Sequence, residues 1–399
     1  MMGISKALTI AGLDSGAGAG VTADLKTFHA LGVYGMVALT SVTAQNTVEV
    51  RSISDVPSNV VEDEINVVAE DIGVDAAKTG MLSNAEIIAT VSRVVKKWGF
   101  PLVVDPVMVA KSGARLLRED AVDALRRYLL PVALIVTPNI PEAEALTGIS
   151  ITNISDMRKA AQLISRDLGT PIVIVKGGHL EGLESIDVVY DSRRNEFHEL
   201  KSPRVNTKNT HGTGCSFSAA IAAGLAKGLD ELSAISNAKK FITDAIIYSL
   251  NLGHGHGPVN SLASLYIESA KYDSVMDSIK AAKKLISAGF KRGFTVSLLS
   301  LDYFRKGNEG IYIEFNNEIS EPVFGVPSVL ESLTVQAIGK GLRGIIAVEY
   351  EGNVVSPNAH VMEMQGKKYA LVMGSSAIDA VNSFLTSGIE GWKSSSAKG

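Results

Sequence analysis

Nine consecutive residues near the middle of the chain carry the groups needed to bind and transfer a phosphoryl group. An apolar run with a four-residue spacing follows at Phe217–Gly228 and predicts a helix. Glycines let several backbone N–H groups turn toward one anion, and a helix N-terminus adds the positive end of its dipole. We therefore expect Gly212, Gly214 and Cys215 to take part in catalysis. The nine residues, called the glycine–cysteine loop below, are Lys208-Asn209-Thr210-His211-Gly212-Thr213-Gly214-Cys215-Ser216.

Cys215 is the only cysteine of the chain. A helix N-terminus favours the thiolate form, whereas an isolated cysteine is more often a small buried hydrophobe. Its place inside a Gly-Thr-Gly-Cys run favours the functional interpretation. In the same loop, we expect Thr210 and Thr213 to contact the phosphates of a nucleotide.

Three polar residues end or follow predicted strands, namely Asp105, Asn139 and Lys176. Ligands of parallel sheets bind beyond the carboxyl ends of the strands, so these side chains should line one crevice. Lys176 can reach a phosphate as a point charge. The alternative is a lysine that lies along the surface with its ammonium group in water.

Asp105 and Glu142 form a candidate magnesium site. A carboxylate at the end of a buried strand is costly without a cation or donors nearby, and Mg²⁺ is often held by two carboxylates and water. Asn139 and Glu142 also have the spacing of a helix capping box. Both interpretations can hold at once, and we also expect Asn139 to contact ATP.

The run Gly12–Gly20, called the glycine-rich turn below, follows a strand and opens a helix. It is not a dinucleotide-binding motif, because Val21 stands where the last glycine is required and no acidic residue ends the next strand. A Walker A loop fails as well, because no Gly-Lys pair is followed by serine or threonine. A structural turn and a ligand-binding turn remain open.

Asp24 and Gln45 are polar residues near the ends of the first two predicted strands. The amide of Gln45 offers a donor and an acceptor in one plane. That pair matches the edge of an aminopyrimidine, as it matches adenine in DNA. A surface glutamine is the alternative interpretation.

Short apolar runs alternate with amphipathic stretches over residues 6–258, which predicts an α/β fold with a mostly parallel sheet between helices. Predicted strands are Ala7–Ala11, Val33–Thr40, Asp75–Thr79, Leu102–Asp105, Leu134–Thr137, Ile172–Lys176 and Val188–Asp191. Predicted helices are Ala23–Leu31, Asn59–Asp71, Asn84–Trp98, Ala121–Leu129, Ile140–Leu146 and Ser155–Leu168.

The segment Gly253-His254-Gly255-His256-Gly257-Pro258 reads as the end of a first domain, residues 1–258. Residues 259–271 are expected to be a linker, and residues 272–392 a smaller α/β or α+β domain. The expected helices of that domain are Tyr272–Ala288, Ser328–Lys340 and Ala377–Thr386, and the tail from Lys393 should be frayed. The expected strands are Phe294–Leu301, Gly310–Phe315, Ile345–Tyr350 and Tyr369–Met373.

Composition excludes several classes of protein. The chain has 399 residues, 46% hydrophobic and 20% charged, with a formal net charge of −4 at pH 7, so it favours neither nucleic acid nor an anionic membrane. A single cysteine, no signal peptide and no apolar stretch of about 20 residues indicate a cytoplasmic protein. The histidines lack the partners of a zinc site.

The motifs in this order closely resemble the hydroxymethylpyrimidine phosphate kinase family of thiamine biosynthesis, within the ribokinase-like fold. The resemblance covers about the first 258 residues. It departs from the family at Leu13, where a small polar residue is usual. The motifs that carry it are Ala7–Gly12, Gly18–Phe28, Leu31–Met36, Val42–Thr47, Lys78–Leu82, Asp105–Gly113, Thr137–Asn139, Lys176–His179 and Thr210–Cys215.

The resemblance implies two ATP-dependent phosphorylations, of 4-amino-5-hydroxymethyl-2-methylpyrimidine and then of its monophosphate. We also expect the protein to be a homo-oligomer. The resemblance implies that Lys176 touches ATP phosphates and that Asp105 and Glu142 serve Mg²⁺. Cys215 takes the place at which related sugar kinases carry a catalytic aspartate. The residues implied to surround the pyrimidine are Gly12, Asp24, Gln45, Met81 and Val107.

The C-terminal region weakly resembles the thiamine-phosphate synthase domain that is fused to this kinase in archaea. It lacks the opening segment of that domain, and Ser356-Pro357 stands where Glu-Pro is expected, near an altered motif at Glu349–Gly352. We therefore expect a ligand-binding or assembly role rather than synthase activity. Two rival functions are a pyridoxal kinase-like enzyme and a ligand sensor with a regulatory C-terminal half.

Overall fold

The computed structural model describes residues 3–110, 113–114, 116–178, 180, 182–299, 310–350, 359–364 and 366–387. The chain divides into two compact units, Met1–Ser264 (unit 1) and Leu265–Gly399 (unit 2). The boundary falls inside the expected linker, residues 259–271. Much of that stretch is helical, because a helix with buried alanines at 263 and 270 runs over Ala263–Ser287.

The described strands of unit 1 form one nine-stranded sheet in the order β3-β2-β1-β4-β5-β6-β7-β8-β9. All pairings from β2 to β7 are parallel, and both edges are antiparallel. This confirms the predicted α/β fold. The strands are β1 (Lys6–Asp14), β2 (Tyr34–Gln45), β3 (Val50–Asp55), β4 (Ala76–Thr79), β5 (Leu102–Val104), β6 (Ile135–Val136), β7 (Ile172–Val175), β8 (Glu184–Asp191) and β9 (Glu196–Pro203).

Helices cover both faces of this sheet. One apolar core packs α2 to α6 against the sheet, and a second core packs α1, α7 and α8 against the opposite face. A π-helical turn at Leu125–Leu129 follows α4. The helices are α1 (Gly20–Ala30), α2 (Ser58–Asp71), α3 (Ala85–Trp98), α4 (Glu119–Ala124), α5 (Ile140–Thr147), α6 (Ile154–Leu168), α7 (Thr213–Ala226) and α8 (Glu231–Ile247).

Three elements of unit 1 were not predicted, namely β3, β9 and α8. Strands β3 and β9 are the two edge strands and contain no fully buried residue, so their sequences lack an apolar run. Helix α7 begins four residues earlier than Phe217, the first apolar residue of the predicted helix. Its first turn is formed by small and polar residues, which an apolar periodicity does not detect.

Unit 2 is an α+β unit built on an antiparallel sheet, in the described order β12-β11-β10-β14-β16-β15, with β13 paired to β11. Helices α9 and α11 pack on one face and α10 on the other. The helices are α9 (Ala263–Ser287), α10 (Glu331–Gly339) and α11 (Ala377–Thr386). The strands are β10 (Arg292–Leu298), β11 (Gly310–Asn316), β12 (Glu318–Ile319), β13 (Val323–Phe324), β14 (Gly344–Glu349), β15 (His360–Met364) and β16 (Lys367–Gly374).

Several expectations for unit 2 fall outside the described residues. These are the end of the strand predicted to reach Leu301, the altered motif from Glu351 to Pro357, and the tail from Lys393. Helix Ala377–Thr386 is confirmed with the predicted bounds.

Candidate active site

A large cavity of about 1020 Å³ lies at the carboxyl ends of the parallel strands of unit 1. It is lined by Asp105 and Lys176, which directly follow β5 and β7, and by Asn139, which lies shortly after β6. Residues Thr210–Cys215 of the glycine–cysteine loop line the same cavity. The predicted crevice is therefore present, and one cavity joins both groups of residues.

Gly212 is the N-cap of α7, and only glycine fits there. Its φ is +80°, and a Cβ atom would lie 1.9 Å from the backbone oxygen of Gly18 in the glycine-rich turn. The two glycine-rich segments thus touch backbone to backbone. Thr213 begins the helix, so Gly214 and Cys215 lie in its first turn, where N–H groups have no partner within the helix.

Lys176 and Asp105 form a buried ion pair at the cavity wall. Lys176 Nζ donates to Asp105 Oδ1 at 3.0 Å, and the side chains are 16% and 1% exposed. Burial alone would lower the pKa of Lys176, but Asp105 and Glu142 raise it above the usual lysine value. The ammonium group therefore stays charged, and Lys176 is not a lysine that lies along the surface.

One carboxylate oxygen of Asp105 is available to bind a ligand. Its Oδ1 also accepts from Thr137 Oγ1 at 3.3 Å, whereas its buried Oδ2 has no hydrogen-bond partner among the described residues. A Cβ atom on Gly214 would lie 3.2 Å from that Oδ2 and 3.3 Å from Lys176 Nζ. The ion pair thus faces the first turn of α7 across a space that glycine leaves open.

This arrangement fits a magnesium ion carried mainly by phosphates and water. Within the described residues, no group of three histidine, cysteine or acidic side chains could hold a metal by itself. An orphaned carboxylate oxygen on Asp105, with Glu142 at the same cavity, is the donor set that Mg²⁺ uses beside substrate phosphates.

Asn139 and Glu142 form the capping box that their spacing predicted. Glu142 Oε2 accepts from the backbone N–H of Asn139 at 2.8 Å, and Asn139 Oδ1 accepts from that of Glu142 at 2.9 Å. Burial raises the pKa of Glu142 to about 7, against the opposing charge of Lys176. Capping holds the Glu142 side chain beside the cavity. Its role as a ligand of Mg²⁺ stays a prediction.

Gly214→Ala should lower kcat by up to about tenfold, because its methyl group would shift Asp105 and Lys176 by a fraction of an ångström, and a shift of about 1 Å costs about 100-fold. The new methyl group would occupy the space between Asp105 Oδ2 and Lys176 Nζ. Alanine in a helix is more stable than glycine by about 0.5–1 kcal/mol, so melting should not fall. Steady-state kinetics beside a melting curve test this. A variant with unchanged kcat would show that phosphate does not bind at this point.

Four of the residues expected to surround a heterocycle line the cavity. These are Gly12, Gln45, Met81 and Val107. Gln45 Oε1 accepts from Thr43 Oγ1 at 3.2 Å, and its Nε2 lies 3.4 Å from His211 Nε2. The amide plane of Gln45 is therefore held in position at the cavity wall.

Asp24 is placed differently from the prediction. It lies on α1, is fully buried, and is absent from the cavity wall. Its Oδ2 accepts from Lys78 Nζ at 2.8 Å and from Thr9 Oγ1 at 2.6 Å. The carboxylate balances a lysine that is itself fully buried, while its second oxygen, Oδ1, has no hydrogen-bond partner among the described residues.

The thiol of Cys215 also differs from the prediction. Burial raises its pKa to about 11, with the acidic side chains of Asp24 and Asp105 adding to the shift and the ammonium group of Lys78 opposing it. Burial and the two carboxylates therefore favour the neutral thiol, against the thiolate that a helix N-terminus alone would favour. Cys215 lines the cavity as a neutral, half-buried thiol.

Sequence reasoning missed the pair formed by Asp14 and His211. His211 Nε2 lies 2.9 Å from Asp14 Oδ2, and that same oxygen accepts from the N–H groups of Gly18 and Ala19. The pair ties the glycine-rich turn to the glycine–cysteine loop. An acidic residue inside a glycine-rich run was the available signal, since such a turn needs an acceptor for its free N–H groups.

A second missed pair lies farther along the cavity. Lys239 Nζ on α8 donates to Asp187 Oδ2 at 2.8 Å, and Asp187 Oδ1 accepts from Gly177 N–H at 3.0 Å. The unpredicted helix α8 thereby supports the backbone next to Lys176. The motif residues Lys111, Ser112 and His179 lie outside the described residues.

No helix in the part of the chain that the structure describes is both long and apolar enough to cross a membrane.

Comparison with known proteins gives a consistent result for unit 1. A family model described as phosphomethylpyrimidine kinase matches residues 14–260. The hydroxymethylpyrimidine/phosphomethylpyrimidine kinase of Bacillus subtilis is 47% identical over 264 residues, which cover 66% of this chain and 96% of that protein. The family match ends before unit 2 begins.

Two solved structures are similar to the same region. Phosphomethylpyrimidine kinase from Clostridium difficile is 44% identical with a TM-score of 0.54, covering 61% of this chain and 100% of that one. The pyridoxal kinase from Staphylococcus aureus in complex with AMP-PCP and pyridoxal is 39% identical with a TM-score of 0.61, covering 66% and 95%.

Proposed function

The chain belongs to the phosphomethylpyrimidine kinase family, and on that basis we propose that unit 1 phosphorylates 4-amino-5-hydroxymethyl-2-methylpyrimidine with ATP and then phosphorylates the monophosphate. The relatives that match unit 1 are kinases of hydroxymethylpyrimidine and its phosphate, which agrees with a kinase role in thiamine biosynthesis. The observation that carries the proposal is the Asp105–Lys176 pair, which faces the N-terminus of α7 in the cavity that Gln45 also lines.

Phosphoryl transfer depends on positioning and charge neutralisation more than on covalent chemistry. The ammonium group of Lys176 and the N–H groups of the first turn of α7 would stabilise the charge of the transferred group. Mg²⁺, held by Asp105 and Glu142, would neutralise ATP phosphates when bound. The similar kinase that binds AMP-PCP supports ATP as the donor.

The two acceptors differ in what the enzyme must do for them. The hydroxymethyl group loses a proton as it attacks, whereas a phosphate monoester with a second pKa of about 6 is already ionised at neutral pH. A proton acceptor is therefore needed chiefly in the first step. Cys215, in the first turn of α7 at the cavity wall, is our candidate.

Gln45→Leu should weaken binding of the pyrimidine by about 1–3 kcal/mol, because the polar edge of the ring would be left unpaired. Leucine fills similar space but offers no donor or acceptor. The KM for hydroxymethylpyrimidine should rise, and that for ATP should not. Steady-state kinetics with each substrate varied in turn test this. Unchanged values for the pyrimidine would remove Gln45 from the recognition site.

A pyridoxal kinase activity is the second candidate, and a specific observation favours it. The chain resembles a structure of a pyridoxal kinase that contains pyridoxal, at 39% identity. A pyridine with a hydroxymethyl arm resembles the pyrimidine in shape. Comparing kcat/KM for both substrates in one ATP-coupled assay distinguishes the two activities.

For unit 2, we propose a ligand-binding or assembly role rather than thiamine-phosphate synthesis. A DNA-binding sensor is disfavoured, because residues 265–399 contain 14 basic and 14 acidic residues and have no net charge. The full chain should be incubated with hydroxymethylpyrimidine and ATP, and thiazole phosphate added afterwards. Pyrimidine diphosphate without thiamine phosphate is the expected result, whereas thiamine phosphate would establish a synthase.

The homo-oligomeric state and the cytoplasmic location stay predictions. The location rests on the single cysteine of the chain.

A further inference from the structure

The segment Gly253–Pro258, called the glycine–histidine segment below, does more than end a domain. It passes between the turn that joins β2 to β3 and the glycine–cysteine loop, and it forms hydrogen bonds with both. Every second residue in it is glycine, at 253, 255 and 257. Each of these glycines is required by a close approach to a neighbouring segment.

On one side, the segment forms hydrogen bonds with Thr47 in the β2–β3 turn. The N–H of Gly255 donates to Thr47 Oγ1 at 3.2 Å, and that of His256 donates to the backbone oxygen of Thr47 at 3.0 Å. A Cβ atom on Gly255 would lie 1.9 Å from that backbone oxygen. On Gly253, whose φ is +71°, it would lie 2.3 Å from Thr47 Oγ1.

On the other side, the segment holds the start of the glycine–cysteine loop. The backbone of His211 donates to the oxygen of Gly257 at 3.0 Å, and Gly257 N–H donates to Asn209 Oδ1 at 3.2 Å. His256 Nδ1 donates to the backbone oxygen of Lys208 at 3.0 Å. Immediately after the segment, the N–H of Val259 donates to the backbone oxygen of His211 at 3.1 Å.

The two residues that the segment contacts, Thr47 and His211, are close in sequence to residues that line the cavity. Thr47 comes two residues after Gln45, and His211 comes immediately before Gly212, the N-cap of α7. We propose that the glycine–histidine segment is a clamp that fixes the spacing between Gln45 and the glycine–cysteine loop. In the proposed reaction, on which this inference rests, that spacing aligns the hydroxymethyl arm with the phosphoryl group. Thr47, Gly255 and Gly257 are thus positioning residues, not catalytic ones.

Gly255→Ala tests the clamp, because the new Cβ atom must push Thr47 away by about 1 Å. We expect kcat/KM for hydroxymethylpyrimidine to fall by about tenfold or more. The KM for ATP should change less than kcat/KM for hydroxymethylpyrimidine, since Lys176 and Asp105 directly follow β7 and β5 and should keep their ion pair. Amide hydrogen exchange in peptides covering Thr210–Cys215 should become faster.

Thr47→Val is the second variant, because it keeps the side-chain shape but removes the acceptor for Gly255 N–H. It should shift exchange and kcat/KM in the same direction, even if Gly255→Ala fails to fold. Gly339→Ala on α10 is the matched control, since no atom lies within 4 Å of its added Cβ. It should leave kinetics and exchange of the glycine–cysteine loop unchanged.

Two outcomes separate the clamp from the proposed function. If Thr47→Val leaves exchange and kcat/KM at wild-type values, the clamp is wrong even though the kinase is active. If wild-type protein phosphorylates no hydroxymethylpyrimidine, the proposed function is wrong. In that case, faster exchange in Gly255→Ala or Thr47→Val would still establish the mechanical link, and its absence in both would overturn it.

Discussion

Replacing Lys176 by methionine should lower kcat by about 100-fold or more for both the pyrimidine and its monophosphate. Removing one group that stabilises transition-state charge typically costs about 100- to 1,000-fold. Lys176 lies beside Asp105 and faces the first turn of α7, and no other described lysine or arginine forms an ion pair with Asp105. Because both acceptors receive the same phosphoryl group, both steps should suffer alike.

The same substitution should also destabilise unit 1, because it leaves Asp105 charged, buried and without its cation. Breaking a buried pair in this way typically costs about 3–5 kcal/mol. Adding Asp105→Asn removes the orphaned charge, so the double variant should regain much of the lost stability. It should regain no activity. A recovery of melting temperature without recovery of kcat would therefore separate the catalytic charge of Lys176 from its structural role.

Lys240→Met on α8 is the control, since that lysine is exposed and, unlike its neighbour Lys239, does not line the cavity. Single-turnover rates for each acceptor, together with thermal melting of the three variants and wild type, provide the comparison. If Lys176→Met kept kcat within about threefold of wild type while losing stability, transition-state stabilisation would have to come from other groups.

The parts of the site that could be predicted from sequence are those fixed by local order along a parallel sheet. Asp105, Asn139 and Lys176 each follow a short buried strand, and parallel strands bring such ends together. The capping box of Asn139 and Glu142 depends on a spacing of three residues and needs no tertiary information. The position of α7 could also be predicted locally, from its apolar spacing, although its first turn could not.

What sequence could not supply were pairings between distant segments. Asp24 was expected at the ligand because it stands near a strand end, but its partner Lys78 is 54 residues away and no local pattern indicates that pair. Asp14 and His211 are 197 residues apart, and their contact depends on how two glycine-rich segments meet. Helix α8 had a readable apolar face and an Asp230 cap, so its omission was avoidable.

The ionisation state of Cys215 could not be predicted from the sequence either, because several groups shift the pKa of the thiol in opposite directions. The helix N-terminus favours the thiolate. Burial opposes it, and so do the carboxylates of Asp24 and Asp105. Neither carboxylate is near Cys215 in sequence, so only the folded structure shows that a neutral thiol results. The thiol must therefore lose its proton before it can accept one from the substrate.

Cys215→Ser should slow phosphorylation of hydroxymethylpyrimidine by about 100-fold and that of the monophosphate by much less, because a positioned base contributes about 100- to 10,000-fold. In wild type, the pKa of about 11 means that the thiolate fraction rises about tenfold per pH unit through the neutral range. The first-step rate should rise with it. The serine variant should lose that slope, because its hydroxyl does not ionise there.

Single-turnover rates of each step between about pH 7 and pH 9 distinguish a base from a space-filling side chain. A purely steric thiol would give equal slowing of the two steps and parallel pH profiles for wild type and variant. A base would give a pH-dependent first step in wild type only, and a nearly pH-independent second step in both proteins. Since serine occupies slightly less space than cysteine, Cys215→Ala provides the matched volume control. It should behave like serine if proton transfer is the function, and worse than serine if a polar contact to the phosphoryl group is.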